Sequence, residues 1–192
     1  MLARRIISLM LQSQCVDDPL WLQAAERIYI GQDKPDFTLA KSIGLRYYTT
    51  KNFSQAKYYL SEAVTLAPTG TDKSEMLLLV GQIEAKSNKL KARSTYRRAL
   101  EADKNNKQGF EYIGDLYFNS ENSCKGNEKI TPLLVYMLAA EYYQRAGNGK
   151  KISMAREKFP TKDQLKQWGY SEGQQVSVEC WIQETTTIRA KN

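Results

Sequence analysis

The stretch Phe37–Gly70 decides the fold; it reads FTLAKSIGLRYYTTKNFSQAKYYLSEAVTLAPTG. Small and apolar residues recur in it at intervals of 12, 4, 3 and 5 positions, at Gly44, Ala56, Leu60, Ala63 and Pro68. Intervals of three and four positions place side chains on one face of an α-helix. The stretch therefore predicts two helices joined by a turn.

Two further copies of this spacing follow. In the second copy the intervals are 11, 4, 3 and 5, at Gly81, Ala92, Tyr96, Ala99 and Lys104. The third copy again ends in intervals of 4 and 3, at Ala139, Tyr143 and Ala146. There, 25 positions separate Gly114 from Ala139, so we expect an inserted surface loop over 120–130.

A helical hairpin of this kind explains the residue types. A glycine on the first helix allows the second helix to approach closely, and the alanines on the second helix leave room for the next hairpin. One hairpin cannot bury its own apolar face, so the copies must stack into a solenoid.

These residues resemble the tetratricopeptide repeat (TPR), whose pattern has small, aromatic, alanine and proline residues at these offsets. The first copy matches almost throughout, the second has Lys104 where proline is usual, and the third carries the insertion. The resemblance implies an all-α solenoid of about three and a half helical hairpins, with the first helix of each lining a concave groove.

Capping and periodicity predict the helix bounds. The predicted helices are Leu20–Ile30, Phe37–Thr49, Gln55–Leu66 capped by Ser54, Met76–Lys86, Lys91–Ala102, Gln108–Asn119, Leu133–Ala146 and Lys150–Lys158, with a short helix from Thr161 to Trp168. The predicted organisation is a partial repeat at 1–36, TPR units at 37–70, 71–106 and 107–150, and a capping segment at 151–192.

The C-terminal segment changes character. Val176, Val178 and Cys180 alternate with polar residues, and a β-branched run follows, so we expect a short β-hairpin turning near Ile182–Glu184 and closing the apolar end of the solenoid. With the ending VECWIQETTTIR, this tail resembles a bacterial TPR subfamily that ends in a Trp-Ile-x-Glu-Thr hairpin. The resemblance implies a periplasmic or cell-envelope location. The alternative is the cytoplasm, because no clear signal peptide is recognisable.

Composition argues against most enzyme chemistry. The 192 residues include no histidine, which removes the commonest general base and most zinc and iron ligand sets. No run of 18 apolar residues is present, so no membrane span is expected. We expect a protein that is not an enzyme and needs no cofactor or metal.

Two motifs superficially resemble catalytic features. Glu111 and Asp115 lie one helical turn apart, as paired carboxylates for acid–base work could. Without a histidine nearby, we interpret them as a solvated or partner-facing pair. The segment 147–151, GNGKK, lacks the spacing and the preceding strand of a phosphate-binding loop.

The resemblance identifies the residues that would bind a partner. We call them the groove face: Lys41, Leu45, Tyr48, Leu78, Gln82, Lys86, Glu111, Asp115 and Phe118. Aromatic anchors and charges of both signs suit an extended peptide or a helix. Several positions of the carboxylate clamp that some family members use hold other residues here, so that mode is not expected; they are Leu45, Leu79, Gln108 and Tyr112.

The alternative function uses the basic residues. The net charge is +7, and five cations form what we call the basic stripe: Lys89, Lys91, Arg93, Arg97 and Arg98. Such a stripe on the convex face could bind nucleic acid or an anionic surface. Because second helices of TPR units face solvent and acidic residues interrupt the cations, nucleic acid is the less favoured partner.

Three cysteines leave two alternatives open. Cys15, Cys124 and Cys180 have no metal-ligand spacing, and their odd number leaves at least one free thiol or an intermolecular bond. Cys124 in the inserted loop and Cys180 in the hairpin would both lie at the last repeat, so either they form a disulfide or all three remain thiols.

Overall fold

The computed structural model describes residues 2–12 and 18–191, which form ten α-helices and one β-hairpin. The helices are α1 Leu2–Gln12, α2 Pro19–Ile30, α3 Phe37–Thr49, α4 Phe53–Leu66, α5 Gly70–Ala85, α6 Lys89–Ala102, α7 Lys107–Phe118, α8 Thr131–Ala146, α9 Gly149–Arg156 and α10 Lys162–Trp168.

Side-chain polar caps start most of these helices. Asparagine side chains accept backbone N–H groups at four of the starts, at Asn52, Asn88, Asn106 and Asn148. The predicted Ser54 cap of α4 is therefore wrong, because Asn52 already accepts the N–H of Gln55. Thr161 and Gln164 form a capping box at the start of α10.

The helix α5 begins six residues before its predicted start. Thr69 accepts the backbone N–H of Asp72 at 3.0 Å and donates its hydroxyl to the Asp72 carboxylate at 2.6 Å. This cap lies directly after Pro68, so the helix begins at Gly70 as soon as the preceding turn ends.

Three helical hairpins, α3 with α4, α5 with α6 and α7 with α8, pack one after another, with α2 before them and α9 after them. The geometry that recurs in each hairpin comes from a glycine: a Cβ built on Gly44 would lie 2.8 Å from Cγ of Leu60. The fold is therefore an all-α, TPR-type solenoid with a small β element.

The β-hairpin pairs β1 (Gln175–Val178) with β2 (Glu184–Thr187) in antiparallel register, with Val178 opposite Glu184. Its connection is longer than predicted, because residues 179–183 form a loop and Gln183 has a φ of 50°. Cys180 therefore lies in the loop and not in a strand. Ile182 in the same loop is fully buried.

The hairpin lies against the last repeat as the expected C-terminal cap, and it also reaches back to an earlier second helix. Its strands pack on α8, and Glu184 of β2 reaches Arg93 and Arg97 on α6. Thr186 donates its hydroxyl to Glu141 of α8 at 3.0 Å. The hairpin is held in place by polar as well as apolar contacts, because α6 and α8 supply charged partners for it.

The inserted loop before α8 is anchored at both ends. Ser120 and Ile130 are fully buried, and a short 3-10 helix, Glu121–Ser123, lies between them. Tyr136 donates its hydroxyl to Glu121 at 2.6 Å. Within the ranges 2–12 and 18–191, no helix has the length and apolar character needed to cross a membrane.

Candidate functional site

The first helices α3, α5 and α7 carry the groove face, and two polar contacts link the first of them to the second. Lys41 on α3 forms an ion pair with Glu75 on α5, with Nζ 3.3 Å from Oε2. About two turns further along α3, the Tyr48 hydroxyl donates to Oε1 of Gln82 at 2.5 Å. Both pairs are separated by 34 residues, so neighbouring repeats contact each other in register.

Gln82 lies between the first helices. It accepts a hydrogen bond from Tyr48 of α3, and it lies near Tyr112 of α7. The Tyr112 ring in turn packs on Tyr96 with ring centroids 5.4 Å apart. Burial raises the pKa of Tyr112, so its hydroxyl stays protonated as a neutral hydrogen-bonding group.

Lys86 and Leu78 occupy different environments, although both were predicted for the groove face. Lys86 is exposed, and its ammonium lies 4.5 Å from the centroid of the Phe53 ring, a cation–π arrangement. Leu78 is only 3% exposed. It packs in the core and offers a partner almost no surface, so its predicted binding role does not fit the structure. Leu45 is half-buried.

The carboxylates Glu111 and Asp115 converge on one cation that the sequence reasoning missed. Lys151 on α9 places its Nζ 2.8 Å from Glu111 and 2.7 Å from Asp115. The Tyr143 hydroxyl donates to Asp115 at 2.8 Å. The hydrogen bond from Lys151 holds the pKa of Glu111 below its ordinary value. Both carboxylates are thus paired with the same ammonium group.

Phe118 ends the groove face at the far end of α7. Its ring meets the Tyr136 ring edge-on at 5.1 Å and lies 6.4 Å from the Tyr143 ring. It is half-buried and leaves part of its surface exposed. Apart from the exposed Lys86 ammonium, the charges of the groove face are therefore paired, and the remaining exposed surface is aromatic, aliphatic and amide.

Two residues important to this face, Glu75 and Lys151, were absent from the predicted set. A signal for Glu75 existed, because it lies 34 residues after Lys41, the length of one TPR unit. Lys151 had no comparable signal, since its partners depend on how α9 docks on α7. Within the described ranges, no group of three or more acidic or cysteine side chains is arranged to hold a metal ion.

The basic stripe on α6 is mostly engaged inside the molecule. Arg93 is 9% exposed and forms an ion pair with Glu184 at 3.2 Å, and Arg97 pairs with the same carboxylate at 2.5 Å. Lys89 donates to the Asn119 carbonyl at 2.5 Å, and burial lowers its pKa. Of the five cations, these three are bonded to other parts of the protein, and the Arg97 side chain is still 45% exposed.

Cys124 and Cys180 are joined by a disulfide, with Cα atoms 5.1 Å apart. The bond links the inserted loop to the loop of the β-hairpin. Cys15, the third cysteine, lies outside the described residues.

Comparisons with known proteins give structural likeness alone. Neither a family model nor a curated protein sequence matches this chain. Among solved structures, MamA AMB-1 (crystal form P212121) is similar with a TM-score of 0.48 and 17% identity, covering 88% of this chain and 92% of that chain. MamA MSR-1 (crystal form C2) has a TM-score of 0.46 and 16% identity, covering 86% of this chain and 95% of that chain.

Proposed function

We propose that this protein is a non-catalytic scaffold that binds a peptide or a helix of a protein partner on the groove face. The observation that carries the proposal is the pairing of charges across repeats, as between Lys41 and Glu75 and between Lys151 and its two carboxylates. A face built this way offers aromatic and amide contacts on a rigid support. Preorganised surfaces of this type bind chains with a low ordering cost.

The pairing of charges on the groove face also predicts how binding of the partner responds to salt. Because most charges of the face are paired within it, a partner would gain little from long-range attraction, and its affinity should change only modestly with ionic strength. Binding of nucleic acid to a free basic stripe would weaken steeply as salt rises. The internal contacts of Arg93, Arg97 and Lys89 favour the first function over the second.

A location at the bacterial cell envelope belongs to the same proposal. It is supported by the resemblance of the C-terminal tail and by the Cys124–Cys180 disulfide, because disulfides persist in oxidising compartments.

The experiment compares two double variants with the same change of charge. Lys41→Glu with Lys86→Glu alters the groove face, whereas Arg98→Glu with Lys166→Glu alters exposed cations elsewhere. Each protein is immobilised, and proteins retained from an extract of the source cell are quantified at low and high salt after circular dichroism has established equal folding.

We expect a partner that is retained by the wild type and by the second variant at both salt concentrations, and lost by the first variant. Equal retention by both variants would contradict a role of the groove face. Retention of nucleic acid that disappears at high salt and in the Arg98 variant would favour the alternative function.

A further inference from the structure

A cavity on the side of α7 away from the groove face combines an apolar floor with a cationic rim. It has a volume of about 440 Å³ and lies between α6, α7 and α8. Volumes of this size accommodate small ligands or one or two side chains. Its residues on α7, Phe110 and Ile113, point away from the groove residues Glu111 and Asp115, so the two sites are separate.

The floor of this cavity is held rigidly. Ile113 is fully buried, and Tyr142 is 9% exposed with its hydroxyl donating to Glu184 at 3.0 Å. A Cβ on Gly109 would lie 2.7 Å from Cδ2 of Leu100, so α6 and α7 are in close contact where Leu100 enters the floor. The apolar surface is therefore preformed and needs no rearrangement to receive a ligand.

Arg145 is the most informative residue of the rim. Its guanidinium stacks over the Phe110 ring at 4.1 Å and lies 5.4 Å from the Tyr142 centroid. In the described part of the chain it forms no ion pair with a carboxylate. A stacked guanidinium keeps its N–H donors at its edge, in the fork geometry that binds a carboxylate through two hydrogen bonds.

The remaining charges add to this attraction. Arg97 shares the single carboxylate of Glu184 with Arg93, which leaves one positive charge in excess beside the cavity. Lys104 is exposed on the rim, and Glu101 is the rim's one acidic lining residue. The balance is positive, with one acceptor available for a hydrogen-bond donor.

We propose that this cavity binds the C-terminal residue of a partner polypeptide that ends in an apolar side chain. The side chain packs on Leu100, Phe110 and Tyr142, and the terminal carboxylate binds the edge of Arg145 with Lys104 nearby. Glu101 accepts a backbone N–H of the residues that precede the terminus. An acyl chain with a carboxylate shares the charge and the apolar body but has no donor for Glu101, which favours a polypeptide.

The probes are three N-acetylated tetrapeptides that end in leucine, phenylalanine or methionine, each as a free acid and as a C-terminal amide. Binding is measured from the backbone amide shifts of the full chain by nuclear magnetic resonance. We expect shifts at Leu100, Phe110 and Tyr142 with at least one free acid, and binding of its amide weaker by about tenfold or more. Equal binding of acid and amide, or no shift with any free acid at millimolar concentration, would overturn the proposal.

Variants of the rim residues test where the terminal carboxylate of the peptide binds. Arg145→Gln and Lys104→Gln should each weaken binding of the free acid, whereas Lys150→Gln, an exposed cation outside the cavity, should not. Lys104 is exposed, so its variant reports on binding even where Arg145→Gln lowers stability. Loss of binding in the Lys150 variant equal to that in the other two would indicate non-specific attraction and contradict the site.

A last comparison tests the source of the carboxylate. Decanoate presents the same charge on an apolar chain without N–H donors, and Glu101→Gln should weaken the peptide but not decanoate. Tighter binding of decanoate than of every peptide would overturn the assignment to a polypeptide terminus. The Lys41→Glu with Lys86→Glu variant should leave peptide binding here unchanged, which separates this result from the groove face.

Discussion

Arg93 of α6 and Glu184 of β2 lie 91 residues apart in sequence, and their side chains form an ion pair at 3.2 Å beneath the β-hairpin. Arg93 also donates to the Ile182 carbonyl, and its guanidinium lies 5.3 Å from the Trp181 ring. Glu184 accepts hydroxyl hydrogen bonds from Tyr117 and Tyr142 as well. One carboxylate therefore connects the hairpin to three helices of the solenoid.

Replacing the Glu184 carboxylate should lower the stability of the fold. Glu184→Gln leaves the buried Arg93 guanidinium without a compensating charge, and we expect a loss of about 3 kcal/mol in the free energy of unfolding. Glu179→Gln is the matched control, because Glu179 is an exposed carboxylate in the same hairpin loop. Urea unfolding measures both; equal effects of the two variants would mean that the carboxylate contributes no more than a surface charge.

The close approach of α7 and α8 at Gly114 leads to a separate prediction about stability. A Cβ on Gly114 would lie 2.6 Å from Cε1 of Tyr143, so Gly114→Ala should cost about 1–3 kcal/mol through overpacking. Gly149→Ala provides the control, since no atom lies within 4 Å of its added Cβ. We expect that variant to be neutral or slightly more stable in thermal unfolding. A neutral Gly114→Ala would show that the helices can separate at no cost.

The sequence predicted the hairpin units well because their determinants are local. Helix α3 has the predicted bounds, Phe37–Thr49, and Gly147 ends α8 in the left-handed conformation at φ 73°. Caps and glycines act within a few residues, so their effect is visible in the sequence. Helix α5 begins at Gly70 and not at the predicted Met76, because the side chain of Thr69 supplies its cap.

Contacts between distant elements were not predictable in the same way. The docking of the hairpin on α6 depends on Glu184 meeting arginines on a helix that precedes it by some ninety residues. The basic stripe therefore looked solvent-exposed in the sequence. Likewise, the place of Lys151 between two carboxylates follows from the packing of α9, which no local pattern encodes.

The disulfide gives a prediction with a chemical readout. Oxidised protein, denatured without reductant, should show fewer than three reactive thiols per chain. Because 56 residues separate Cys124 from Cys180, the cross-link should stabilise the fold by about 4 kcal/mol through the entropy of the unfolded chain. Unfolding midpoints are compared with and without reductant. The double variant Cys124→Ser with Cys180→Ser should be insensitive to reductant, and three free thiols in the wild type would contradict the bond.

Buried tyrosines predict an alkaline limit to stability. Burial, reinforced by nearby glutamates, raises the pKa of Tyr29, Tyr47 and Tyr136 from 10 to about 12. Their hydroxyls lose the proton more easily in the unfolded chain than in the folded one. Their contribution to stability is therefore fully present below pH 10, and it decreases as the pH rises through 10 and is lost by about pH 12.

Urea unfolding followed across this range measures the loss directly, while ultraviolet absorbance of tyrosinate reports ionisation. Tyr136→Phe removes one of the three titrating groups and should make the decrease in unfolding free energy above pH 10 less steep. Tyr58→Phe removes a hydroxyl from a side chain that is 56% exposed and serves as the control. A wild-type free energy that stays constant between pH 10 and 12 would contradict the raised values, because linkage requires the folded state to lose stability wherever the unfolded chain releases protons first.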